Sequence, residues 1–181
     1  MSNHFQLTES PAAEPDATER VTVELGKLLL SQGLTVTCAE SCTGGGIASA
    51  ITDVPGSSQW FHLGFVTYSN QAKQQLLGVS PDVLRAEGAV SQLVVQQMAL
   101  GALNASEADI AVAVSGVAGP GGGTEDKPVG LVWFCWASRC GSTDKGKSVE
   151  CRSFQFSGGR SEVRATAIKQ AIEGLVSMLK K

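Results

Sequence analysis

The chain has 181 residues, 43% hydrophobic and 17% charged, the size and make-up of one globular domain with a core of its own. A net charge of −3 excludes the basic excess that a constitutive binder of nucleic acid or anionic membrane carries. No run approaches the roughly 20 apolar residues of a membrane-spanning helix.

Residues 1–16 hold Pro11 and Pro15 among small and polar residues, which predicts a flexible leader ahead of a single domain over 17–181. The leader has acidic residues and no apolar run, so it is not read as a signal or transit peptide. From Ala17 the pattern turns helical, with Val21, Leu25, Leu28 and Leu29 on one stripe and Gly33 as the stop. Residues 35–39 (TVTCA) read as a buried strand, followed by SCTGGG and a short helix that halts before Pro55. Residues 61–69 predict a second strand, 70–77 and 81–87 two short helices, and Ser91 the cap of a longer helix through Val94, Val95, Met98 and Leu103. The near-continuous apolar run 109–116 predicts a central strand covered on both faces. After a glycine-dense loop, 129–137 and 148–156 flank a polar turn with Gly141 and Gly146 and are expected to pair as a hairpin. Val163, Ala167, Ala171, Leu175 and Leu179 line one stripe of a final helix from about Ser161 to Lys181. Strands that alternate with helices and end in a hairpin predict a three-layer α/β/α fold with at least one antiparallel strand.

Chemistry is expected where small hydroxyl residues and glycines follow the strands, since ligands of α/β sheets bind at the carboxyl ends of strands. The segments are Glu40 to Gly46, Tyr68 to Lys73, and Ser115 to Gly123. The first leaves backbone N–H groups at a helix N-terminus, suited to an oxyanion or a phosphate. It is not a phosphate-binding P-loop, because no lysine follows the glycines. Ser41 and Cys42 are both candidate nucleophiles. His4 lies in the leader and His62 within a strand, which weakens a Ser-His-Asp triad. A buried lysine of lowered pKa is the other activator of a serine, and Lys73 falls at the same end of the sheet. Tyr68 could orient that amine or relay its proton. Arg160, opening the last helix, could grip a phosphate or carboxylate. The five cysteines, at 38, 42, 135, 140 and 151, form no C-x-x-C pair and with two histidines make no zinc site. Read as free thiols they imply a reducing compartment, and the expected location is cytoplasmic. The tryptophans of 131–137 suggest an interface and hence a possible homo-oligomer.

The segments AESCTGG (39–45), GSSQWFHLGFVTYSNQAK (56–73), GAVS (88–91), VSGVAGPGGGTEDKPVGLVW (114–133) and FSGGRSEVR (156–164) together resemble the CinA C-terminal domain family, and within it the stand-alone nicotinamide-nucleotide amidases. That resemblance implies a three-layer α/β/α sandwich on a five-stranded mixed sheet with the fourth strand antiparallel. It implies hydrolysis of nicotinamide mononucleotide to nicotinic acid mononucleotide and ammonia in pyridine nucleotide salvage, with no metal or other cofactor. Carried over by motif, Ser41 is the nucleophile, Lys73 the general base and Tyr68 its partner. Thr43, Gly44, Gly45, Ser115, Gly116, Gly119 and Arg160 are the expected substrate-binding residues. The sequence departs from the family at Gly158-Gly159-Arg160, where Gly-Asp-Arg is common, and at Ser115, where threonine is frequent. A nucleotide-binding or regulatory module without catalysis is the competing expectation, and a thiol hydrolase using Cys42 a third.

Overall fold

The computed structural model describes residues 16–139 and 148–181. The expected leader up to residue 15, His4, Cys140 and the hairpin turn lie outside the described residues. The elements in chain order are α1 (Ala17–Gln32), β1 (Val36–Glu40), α2 (Gly46–Thr52), a 3-10 turn (Ser57–Gln59), β2 (Phe61–Val66), α3 (Asn70–Leu77), α4 (Pro81–Glu87), α5 (Gln92–Ser106), β3 (Ile110–Gly116), β4 (Leu131–Ser138), β5 (Ser148–Gln155) and α6 (Arg160–Leu179). Their ends follow from local chemistry. Asp16 accepts the Glu19 N–H at 2.8 Å to start α1, and Gly33 closes it with φ 65°. Ser69, Ser80 and Ser91 cap α3, α4 and α5 with their hydroxyls.

The sheet runs β2-β1-β3-β4-β5. β1 pairs in parallel with both β2 and β3, while β4 is antiparallel to β3 and to β5. The fourth strand is therefore the reversed one, as expected. The chain leaves β1 for β2 on one side, then returns across β1 to β3 on the other. This places a switch point between the carboxyl ends of β1 and β3, where open α/β sheets bind ligands.

Alternation along the strands builds two cores. Ile110, Val112 and Val114 of β3 join Leu25, Leu29, Ile47, Phe134, Trp136 and Leu175 on the face covered by α1, α2 and α6. Ala111 and Ala113 point the other way, with Ala39 and Ala137, against Val94, Val95, Met98 and Ala102 of α5. The small side chains on that second face let α5 lie close to the sheet.

Three expectations change. β2 ends at Val66, because residues 67–69 leave the ladder to turn into α3. Cys135 and Cys151 are direct partners across β4 and β5, 4.0 Å apart at Cα, and are joined as a disulfide, so the thiols are not all free. Antiparallel register brings such facing side chains together, and register cannot be read from cysteine spacing. Finally, the tryptophan-rich strand does not present Trp136 outward. Its ring is 4% exposed and its indole N–H donates to the Ala171 carbonyl at 2.9 Å.

Gly174 of α6 lies over that indole, and a Cβ there would stand 2.1 Å from the ring. Gly174→Ala should destabilise the protein by about 1–3 kcal/mol, read as a lower thermal midpoint.

Candidate active site

Ser41 directly follows β1 and is stitched to both neighbouring strands. Its N–H donates to the Val114 carbonyl at 3.0 Å, and the carbonyl of Glu40 accepts the Thr67 N–H at 2.8 Å. The turn beyond it uses the left-handed conformations of Gly44 and Gly45, with φ of 59° and 96°, which a side chain would resist. Its backbone donors are largely spoken for. Glu40, fully buried, curls its carboxylate over the start of α2 and accepts the N–H groups of Gly45 (2.9 Å), Ile47 (3.1 Å) and Ala48 (2.9 Å). Gly44 donates to the Ser41 carbonyl and Gly46 to that of Thr43. Among the described residues of the turn the Thr43 amide has no hydrogen-bond partner, and the Cys42 amide lies against its own thiol.

Lys73 sits one turn into α3, held inward by the Ser69 cap, and is fully buried. Its Nζ lies 3.0 Å from Ser41 Oγ, 2.7 Å from the Thr67 carbonyl and 3.3 Å from the Tyr68 carbonyl. Burial lowers its pKa to about 8 by penalising the ammonium, against a smaller opposing influence of Cys42. Tyr68 meets the amine through its main chain. Its phenol is exposed and takes a hydrogen bond from Arg160 Nη2 at 3.1 Å.

The third segment reaches the same edge. Arg160 Nη1 donates to the Gly119 carbonyl at 3.0 Å, where Gly119 has φ 82° and precedes Pro120 in a cis peptide. Arg160 thereby links the start of α6, Tyr68 and the glycine loop. Ser115 is buried and its hydroxyl donates to the Ala89 carbonyl at 2.8 Å, tying the 88–91 segment to β3. Gly116 is a site of close packing, since a Cβ there would meet the Leu131 carbonyl oxygen at 2.6 Å. One turn after Arg160, Arg164 Nη2 donates to the Thr43 carbonyl at 2.7 Å. Thr43 Oγ1, Thr67 Oγ1 and Arg164 Nε are buried with no hydrogen-bond partner among the described residues.

Ser41, Lys73 and the Tyr68 main chain thus converge, with Arg160 and Gly119 alongside. Glu40, Thr67 and Arg164 are neighbours that the sequence reading did not assign. A glutamate ending an apolar strand was the available signal for the first, and Arg164 shares a helix face with Arg160. His62 lies near the amino end of β2, exposed and at the opposite end of the sheet. Among the described residues no cluster of three or more His, Cys, Asp or Glu side chains could hold a metal, and no helix is long and apolar enough to cross a membrane.

Cys42 stands beside Ser41 but is 6% exposed, and burial pushes its thiol up to about 11. Cys38 is buried and raised as well, by burial first and then by Glu40. A thiolate is the reactive form. Iodoacetamide at pH 8 should therefore label neither residue in the folded protein and both after unfolding, as read by peptide mass spectrometry.

Residues 18–179 match the family described as the CinA C-terminal domain. The chain is 56% identical to the nicotinamide-nucleotide amidohydrolase PncC of Enterobacter agglomerans over 147 residues, covering 81% of this chain and 86% of that protein. It is 51% identical to the protein of the same name from Escherichia coli K12 over 156 residues, 86% and 91% of the two chains. The crystal structure of the competence/damage-inducible protein CihA from Agrobacterium tumefaciens superposes with a TM-score of 0.86 at 41% identity, covering 94% of this chain and all of that one. With sequence, fold and strand order in agreement, the chain belongs to the CinA C-terminal domain family.

Proposed function

We propose that the protein hydrolyses the carboxamide of nicotinamide mononucleotide, yielding nicotinic acid mononucleotide and ammonia, with Ser41 as nucleophile and Lys73 as general base. The observation that carries this reading is the Lys73 amine, buried, lowered to about pKa 8 and 3.0 Å from Ser41 Oγ. Relatives named for this activity at 51% and 56% identity supply the substrate.

A neutral amine has two N–H donors and one lone pair. The carbonyls of Thr67 and Tyr68 can take the donors, leaving the lone pair for the Ser41 hydroxyl. Lys73 accepts that proton as Ser41 Oγ attacks the amide carbon, and the carbonyl π electrons move onto oxygen. Main-chain N–H groups of the turn stabilise the oxyanion. The tetrahedral intermediate collapses, its C–N bond breaks, and the ammonium of Lys73 returns the proton to the departing nitrogen. Water, deprotonated by the same amine, then cleaves the ester and restores Ser41. Arg160 with the 119–123 loop is the site assigned to the 5′-phosphate, because Glu40 already fills the amides at the start of α2. A phosphorylated substrate of this kind belongs in the cytoplasm. A module that only bound nucleotide would have no use for an amine desolvated beside a serine, which sets the competing reading aside.

Ser41→Ala and Lys73→Ala should each lower kcat by about 10²–10⁴-fold, measured as ammonia release. Because the neutral amine is the working form, kcat/KM should climb with pH through about 8 and level off above it. Retained turnover in either variant, or a profile flat from pH 6 to 9, would contradict the assignment. Arg160→Ala should raise KM for the mononucleotide while leaving that for the riboside nearly unchanged.

A further inference from the structure

We propose that Glu40 and Arg164 are positioning residues of this amidase. Between them they hold the turn after β1, and with it Ser41 Oγ, in the position from which it meets Lys73. The inference rests on the amidase reading and adds residues that reading does not require.

A strand-to-helix turn carries several N–H groups with no intrahelical partner, and any of them could bind an oxyanion or trap a stray anion. From Gly44 to Ala48 every one is engaged, three on the Glu40 carboxylate and two on carbonyls of the turn itself. Val117, in the other loop near Ser41, donates to the Leu131 carbonyl. Among the described residues of the turn Thr43 alone keeps an unpartnered amide, and it is fully buried. Before it stands a serine whose own N–H and preceding carbonyl are locked to β3 and β2.

Glu40 secures the turn from within, as the last residue of β1 reaching five to eight residues ahead. Arg164 secures it from outside. Its guanidinium, carried by α6, donates to the Thr43 carbonyl, which also accepts the Gly46 N–H at 3.2 Å. That carbonyl lies two residues beyond Ser41, so the bond restrains the backbone that carries the nucleophile. A charge-assisted bond is about twice as strong as a neutral one, and this one couples α6 to the nucleophile turn. In this role neither side chain touches the substrate. Their contribution is the alignment of Ser41 Oγ for attack, and so falls on kcat and spares binding.

The test compares wild type, Arg164→Met, Arg164→Lys and Glu40→Gln, each confirmed folded by circular dichroism at the assay temperature, with ammonia release from nicotinamide mononucleotide as the readout. Arg164→Met should lower kcat by about tenfold or more, below the about 10²–10³-fold cost of losing a direct oxyanion donor, with KM within about threefold. Arg164→Lys should recover part of the loss. Glu40→Gln, which sets an amide NH2 against backbone donors, should lower kcat at least as far. Should that variant fail to fold, the Arg164 pair decides. A kcat within twofold of wild type in folded Arg164→Met, or a loss confined to KM, overturns the proposal. Inactive wild type is a separate outcome: it removes the amidase reading, and the positioning role with it.

Discussion

The structure depends on a lysine amine buried where water cannot reach it. Moving an ammonium out of water is costly, and Lys73 meets that cost in two ways. Two main-chain carbonyls from the end of β2 accept from its Nζ, and its pKa falls to about 8. At neutral pH the free base is therefore far more populated than in an ordinary lysine. In the proposed mechanism the same desolvation that makes the group hard to bury makes it a base, and the serine 3.0 Å away is the group it acts upon.

The sheet supplies the convergence. β1 lies between β2 and β3 in parallel register, so the residues leaving all three strands arrive at one edge. Ser41 comes from the first, Thr67 and Tyr68 from the second, and the loop through Gly119 from the third. α6 then packs across the face shared with α1 and α2 and brings Arg160 and Arg164 to that edge. β4, the reversed strand, and β5 take no direct part. They widen the sheet under α6, and Trp136 anchors the helix through its bond to the Ala171 carbonyl.

Much of this was legible in the sequence because local chemistry announces it. Gly33 and Ser91 mark helix ends, and the apolar run through Ile110 and Val114 marks the central strand. Lys73 and Ser41 could be paired because both follow parallel strands. What stayed hidden depends on register and on side-chain direction. The Cys135–Cys151 pair needs the alignment of β4 with β5, which spacing across an unread turn does not give. Tyr68 was expected to serve Lys73 with its phenol, yet the backbone turn after Val66 presents its carbonyl instead and sends the ring to Arg160. The glycine turn looked like an open anion site, and only the three-dimensional path of Glu40 reveals that an internal carboxylate occupies it. Trp136 pointed to an interface because its neighbour Gly174 lies 38 residues away in sequence, too far for any local pattern to show the slot made for it.

The most direct measurement is to quench a single turnover of nicotinamide mononucleotide in acid and map the acylated peptide by mass spectrometry. The account predicts a nicotinic acid mononucleotide ester on Ser41 that accumulates and then decays as product appears. An adduct on Cys42, or product formed with Ser41 unmodified throughout, would contradict it.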